Sequence, residues 1–362
     1  MELDKVIKAG INITNTSKKL IQHIFLPEYL FGRNKSINFV PIEPTAPLND
    51  AKLVGHFFIE PHMKSQYGKK PIPVSEQINL LESKGMEFYD RTFASHILSI
   101  IGYYRFSGYA YPFRNESDNC GFVDDTSFEK VYSIYEFDRS LKSLLFSYLG
   151  RIEIAFRTLI IDKFSVGTGT ALWYADLGNF INKGECEEFL ANLQYDMAVT
   201  REDFIKHFMD TYSDEFPPAW IALQIVSFGA LIKQFRNFNN RDLQFQVARY
   251  FGCDSVDRFI SWMNTLVYLR NICSHHARLW NRPLKKRPEA YNFGMRNKRW
   301  SQQDLAKLYY SVCVIGSLLK SILPGNTFKQ QLVSLFNAYP YVNSTKSKFL
   351  GFPKDWQTEF AW

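Results

Sequence analysis

The sequence predicts a mainly α fold, a helical bundle with an irregular N-terminal arm and a C-terminal helical extension. Three observations predict it. Apolar residues recur at helical spacing from Val131 through Ile134, Leu141, Leu145, Leu149, Ile152 and Phe156 to Ile160, segments with strand alternation are few, and the turns between helical segments are short. The chain has 362 residues, 46% of them hydrophobic and 16% aromatic, with 32 Phe and 20 Tyr. So much apolar surface excludes a disordered or fibrous chain.

Taken in order, residues 1–69 carry Pro27, Pro41, Pro44, Pro47 and Pro61 between short apolar pieces such as Ile37–Ile42 and Leu53–Ile59. They suit a small hairpin or an arm laid over the main body. From Pro71 the pattern turns helical. Pro73-Val74-Ser75-Glu76 opens a short helix that stops near Gly85, and a second runs from about Asp90 to Tyr104. Thr126-x-x-Glu129 has the form of a capping box and starts the longest helix. Further helices are expected at about 185–198, 201–212, 218–238, 241–251, 255–279 and 301–322.

The apolar, uncharged runs Trp220–Ile232 and Leu308–Leu319 both fall short of the ~18 residues that cross a bilayer, so no membrane span is expected. Met1-Glu2-Leu3-Asp4-Lys5 lacks the apolar core of an export signal. The five cysteines, Cys120, Cys186, Cys253, Cys273 and Cys313, are odd in number and form no CxxC pair, which supports neither a disulfide framework nor a zinc ribbon. The expected location is a reducing cytoplasm.

The formal net charge is +7, and it is concentrated. Arg270, Arg278, Arg282, Lys285, Lys286, Arg287, Arg296, Lys298 and Arg299 face a single acid, Glu289, between residues 270 and 300, a local +8 against −1 for the remainder. One such block suits a place where phosphates are held, or else a solvated basic loop.

Most familiar catalytic signatures are missing. There is no GxxxxGK[ST], HExxH or GxSxG, and Gly167-Thr168-Gly169 opens a dinucleotide-like run that fails at Leu172 and reads as a loop. The informative segment is Leu269-Arg270-Asn271-Ile272-Cys273-Ser274-His275-His276-Ala277-Arg278, which follows a buried helical face from Phe259 to Leu269. At about 100° per residue, Arg270, Asn271 and His275 lie within one side of a helix. They combine a fixed cation, an amide and a group that titrates near neutrality, a set capable of phosphate chemistry. Transesterification of RNA also needs a second acid–base group, which a two-fold dimer would bring to a shared cleft. Two alternatives stand beside this reading: His275 and His276 as a pair interacting with a helix C-terminus, and Cys273, His275 and His276 as metal ligands, against which adjacent His side chains diverge and no fourth ligand is near.

Tyr103-Tyr104-Arg105-Phe106-Ser107-Gly108-Tyr109-Ala110-Tyr111-Pro112-Phe113-Arg114 interleaves aromatics with arginines, as stacking on unpaired bases would require and as an aromatic-packed turn would also show. In the long helix, Glu153 and Arg157 are spaced to pair, with Asp138, Arg139 and Arg151 on neighbouring turns. These polar groups suit either a buried network bracing the site or a partly exposed face.

Six motifs in succession then carry a resemblance. Lys70-Pro71-x-Pro73-x-Ser75, Tyr103-Tyr104-Arg105-x-Ser107-Gly108-Tyr109, Tyr135-Glu136-Phe137-Asp138-Arg139, Arg151-Ile152-Glu153-x-Ala155-x-Arg157, Pro217-Pro218-x-Trp220 with Ser227-Phe228-Gly229, and Leu269-Arg270-Asn271-x-Cys273-x-His275-His276-x-Arg278-Leu279-Trp280-Asn281-Arg282 resemble the bacterial Abi-like (AbiD/AbiF) abortive-infection proteins. The resemblance covers residues 70–282 and divides the chain into an arm (1–69), the Abi-like domain (70–282) and a basic linker with a helical extension (283–362).

The resemblance implies a HEPN-type helical domain whose hallmark, Arg-x(4–6)-His, is met by Arg270 and His275. It implies a cytoplasmic anti-phage protein that binds RNA and acts as a cofactor-free, metal-independent endoribonuclease through a homodimer, leaving 2′,3′-cyclic phosphate and 5′-hydroxyl ends. Arg270, Asn271, His275 and His276 would be catalytic. Tyr104, Arg105, Arg114, Arg278, Arg282, Lys285, Lys286, Arg287, Arg296, Lys298 and Arg299 would contact RNA, with Asp138, Arg139, Arg151, Glu153 and Arg157 in support. The alternative is a non-catalytic ribonucleoprotein with a cognate small structured noncoding RNA; a phage-derived trigger is a further expected partner.

Overall fold

A computed structural model describes residues 68–115, 121–294 and 300–358. The expected N-terminal arm, and with it Arg296, Lys298 and Arg299, lies outside them but for residues 68 and 69. The described residues form a mainly α fold of fourteen α-helices, and those from Lys69 onward make one compact unit.

Its axis is a single 41-residue helix, Phe128–Thr168, which at 1.5 Å per residue is about 60 Å long. Leu141, Leu145, Leu149, Ile152, Phe156 and Ile160 are fully buried along it, the spacing that one apolar face requires. The start differs from the expected capping box. Ser127 is the N-cap, accepting from Lys130 N, while the Thr126 hydroxyl donates to Val123 O and Glu129 Oε1 accepts from Tyr89 N and Asp90 N. Glu129 is thus taken by a tertiary contact. The other end is the run Gly167–Gly169: the helix stops at Thr168, and Gly169 closes it in the left-handed conformation at φ 71°.

Numbered in chain order, α1 (Val74–Glu82), α2 (Arg91–Ile101), α3 (Tyr103–Ala110) and the long α4 come first. The helix expected over 90–104 is two helices, because Gly102 at φ 78° turns the chain between α2 and α3. Then follow α5 (Lys183–Val199), α6 (Asp203–Thr211), α7 (Ala219–Ala222), α8 (Phe228–Asn237), α9 (Arg241–Tyr250) and α10 (Val256–Ser274). The helix expected over 218–238 is also broken, at residues 223–227. Its apolar run is continuous, but Ser227 caps α8 by accepting from Ala230 N, and Arg157 of α4 binds the carbonyl oxygens of Leu223 and Val226. A buried guanidinium competes successfully with helix continuation.

The chain ends with α11 (Gln302–Leu305), α12 (Leu308–Ile322), α13 (Phe328–Ala338) and α14 (Pro340–Leu350). These close the same core around α4: Phe328 packs on Tyr148, Phe336 on Phe137 and Phe349 on Trp280, with ring centroids 4.8, 5.4 and 4.8 Å apart. The intervening basic loop is tied down. Leu284 N donates to Ala306 O, Trp262 Nε1 and Tyr310 OH both donate to Glu289 O, and Glu289 N donates to Ser261 Oγ, all within 2.9 Å. Among the described residues no helix is long and apolar enough to cross a membrane.

Candidate functional site

Helix α10 presents Phe259, Trp262, Met263, Leu266, Leu269, Ile272 and Cys273 to the core. Arg270 is half-buried and Asn271 exposed. The helix does not continue to residue 279 as its pattern suggests. It ends at Ser274, with His275 as the C-cap and His276 left-handed at φ 52°. His276 N donates to Cys273 O and Ala277 N to Ile272 O, at 3.2 and 3.0 Å, which is the Schellman closure with a histidine where glycine is usual. The helical-wheel placement therefore holds for Arg270 and Asn271, whereas His275 reaches the site from the cap. Both imidazoles are exposed at the negative end of α10.

The strained closure is held from outside. Arg105 of α3 donates to His276 O at 2.7 Å. Asp138 of α4, fully buried, accepts from Trp280 N at 2.6 Å and Leu279 N at 3.2 Å, and from the Tyr109 hydroxyl at 2.7 Å. Lys142 Nζ lies 3.0 Å from Asp138 and donates to Ala277 O at 3.3 Å. Burial, and then the Asp138 carboxylate, push the Tyr109 hydroxyl far above its usual pKa, so it stays a donor. A buried charge pair with every lone pair used can fix one geometry for the turn.

A second carboxylate organises Arg270. Glu153 sits between two guanidinia, with Oε1 3.1 Å from Arg157 and Oε2 3.5 Å from Arg270. Burial lowers the pKa of Arg157 and Glu153 opposes that shift. Arg270 is thus aimed by Glu153 while 33% of its side chain faces solvent, and its Nη1 also reaches Asn271 Oδ1 at 3.4 Å. Of the other expected supports, Arg139 is exposed and pairs with Glu136 at 2.8 Å. Arg151 is exposed and makes no ion pair or side-chain hydrogen bond with described residues.

Two clefts flank the 275–278 turn. One, of about 750 Å³, is lined by Tyr104, Arg105, His275, His276, Arg278 and Arg282 among others. The second, of about 560 Å³, is lined by Arg105, Tyr135, Arg139, Lys142, Phe146 and His276 among others. Arg105 and His276 belong to both. The structure therefore gathers His275, His276, Tyr104, Arg105, Arg278 and Arg282 in one place. Arg114 lies apart, over the Tyr111 ring at 5.4 Å, and Lys285, Lys286 and Arg287 are exposed on the tied-down loop. Tyr135, quoted in the sequence only as part of a motif, and Lys142, not singled out at all, join the site; the i,i+4 spacing of Asp138 and Lys142 is the one signal that could have found the lysine.

Cys273 is buried, and desolvation first, then Asp138, push its thiol up to about 12. It faces the core while the imidazoles face solvent, and among the described residues no group of three or more His, Cys, Asp or Glu side chains converges as a metal site would need.

A family model described as Abi-like protein matches residues 96–281, just over half of the chain. The chain belongs to the Abi-like protein family. Comparison with curated proteins and with solved structures returns no match. The segment that defines this Abi-like chain contains Arg105, Tyr109, Asp138, Lys142, Glu153, Arg157 and the whole 270–280 stretch, so the turn and both carboxylate networks fall inside it.

Proposed function

We propose that this Abi-like protein serves in abortive infection of phage-infected bacteria by binding RNA in the two clefts and cleaving it at the end of α10. The observation that carries this reading is a braced helix end that bears Arg270, Asn271 and His275, with His275 and His276 lining arginine-rich clefts beside it. Arg270 binds the scissile phosphate and spreads its transition-state charge, Asn271 orients it, and His275 moves the proton. His276 lies beside both clefts and supplies a further imidazole. Two copies joined across a two-fold axis present two such ends to one strand, which provides one group for the 2′-hydroxyl and one for the 5′-oxygen. The chemistry proposed uses protein groups alone.

Wild-type protein and His275→Ala, incubated with total RNA in EDTA, test this. Cleavage by the wild type, with a loss of about 100-fold or more in the variant, is the expected result. Equal activity in the two removes His275 from the mechanism, and activity abolished by EDTA removes the metal-free mechanism.

One observation favours a second reading, a ribonucleoprotein without turnover: Glu153 already occupies one side of Arg270. In that case the purified protein carries one discrete small RNA, visible as a raised 260/280 nm absorbance ratio, and leaves RNA uncut. Protein that emerges free of nucleic acid and ignores RNA at low salt excludes it.

A further inference from the structure

We propose that the larger cleft, between α3 and the 275–282 turn, takes a terminal phosphate, the phosphomonoester of a nucleotide whose base lies against Tyr104. This rests on the RNA-binding reading above and names the part of an RNA that the cleft receives.

Arg278 is the central observation. Its guanidinium makes no hydrogen bond or ion pair with any described residue, and Nη1 is buried without an acceptor. Burial lowers its pKa; Tyr109 and the Asp138 carboxylate oppose that shift and the neighbouring Arg282 adds to it. A desolvated cation without an acceptor is unfavourable until an anion arrives. The rest of the cleft supplies no such anion. Arg105 and Arg282 line it, together with His275 and His276, and no carboxylate does. Arg105 donates to His276 O, and Arg282 reaches Arg278 O and the Tyr268 hydroxyl at 3.4 and 3.5 Å. These are neutral acceptors, so three guanidinia share one cleft with no ion pair among the described residues, and only the buried Asp138, itself paired with Lys142, opposes the charge of Arg278.

That charge decides between phosphates. A backbone diester carries one negative charge, whereas a phosphomonoester carries about −1.5 to −2 near neutrality and offers three strong acceptor oxygens. Three guanidinia match the second. Tyr104, 91% exposed at the rim, gives a base an open ring face. One turn along α3 from Tyr104, Gly108 faces Arg278, and an added Cβ there would sit 3.9 Å from Arg278 Cδ and Nε. A longer side chain there would enter the space beside the guanidinium.

The test uses full-length protein and a non-cleavable 2′-O-methyl RNA octamer with a 5′-hydroxyl, a 5′-phosphate or a 3′-phosphate end, read by fluorescence anisotropy. AMP and adenosine serve as competitors, and their direct binding is measured by calorimetry. One phosphorylated end should bind about tenfold tighter than the hydroxyl end. Arg278→Met should bring the ratio of phosphorylated-end to hydroxyl-end affinity to about one, a ratio in which any general loss of RNA binding cancels. Gly108→Leu should do the same from α3, which keeps the test intact if Arg278→Met melts early. Displacement by AMP and not adenosine supports the site with free nucleotides as a source; tighter phosphorylated RNA without displacement by AMP supports it with an RNA end as the source. If the protein binds no RNA but binds AMP in an Arg278-dependent way, the RNA reading fails and the phosphate site stands. Equal affinity for all ends with no AMP binding overturns the proposal, as does an end preference that survives both variants.

Discussion

At the scale of single residues, Asp138 does more for the site than any group that would touch RNA. It has no exposed surface, and it holds two backbone amides of the turn, a tyrosine hydroxyl and a lysine. Removing it leaves Lys142 buried and unpaired, with two amides unsatisfied. Asp138→Ala should therefore lose about 3–5 kcal/mol of stability in urea unfolding, and the turn carrying His276 should lose its left-handed closure. Asp138→Asn keeps acceptor and donor capacity and should cost less. A loss under about 1 kcal/mol in the alanine variant would contradict the bracing role. The sequence shows Asp138 only as one acid among several on an apolar helix. Apart from Lys142 one turn on, its partners lie 29 and more than 140 positions away, and no local pattern encodes those distances. Arg270 and His275 were legible because their spacing is local, whereas the C-cap was hidden because a histidine occupies the position at which glycine would have announced the turn.

Between elements, the same logic explains which helices were legible. The interior of α4 follows from its apolar spacing, since one face of 41 residues must be buried. The division of α7 from α8 does not, because its cause is a guanidinium from α4. Two substitutions separate local from tertiary control. Ser227→Ala removes the α8 cap and should cost about 1 kcal/mol. Arg157→Met removes the ligand of two carbonyls and frees one side of Glu153, and should cost about 2–5 kcal/mol. Thermal or urea unfolding measures both, and an Arg157→Met variant no less stable than Ser227→Ala would return the break to local sequence preference. Because Glu153 also contacts Arg270, Arg157→Met should weaken RNA cleavage more than Ser227→Ala does.

For the whole molecule, the described part of the +8 block is two different things. Arg278 and Arg282 line the larger cleft and Arg270 stands on α10 against Glu153, while Lys285, Lys286 and Arg287 are exposed on a loop fastened to α10 and α12 by hydrogen bonds. The first set acts at short range, and the second supplies a field over the adjoining surface. Neutralising Lys285, Lys286 and Arg287 together should weaken RNA binding at low salt and reduce the slope of log affinity against log salt by up to about 2. Unchanged binding in that variant would leave the loop merely solvated. The C-terminal region shows why charge alone could not draw this picture: α13 packs on α4 through aromatic contacts, and Ala306 and, on α12, Tyr310 fasten the loop, although nothing in the block itself refers to them.

On the proposed function, this helix end cleaves RNA with its own imidazole. A synthetic single-stranded RNA incubated in EDTA with wild type and with His275→Ala, its product ends identified by mass spectrometry, tests it most directly. Cyclic 2′,3′-phosphate and 5′-hydroxyl ends from the wild type, and intact RNA from the variant, are the predicted result. Products ending in 3′-hydroxyl and 5′-phosphate, or identical products from both proteins, would contradict it.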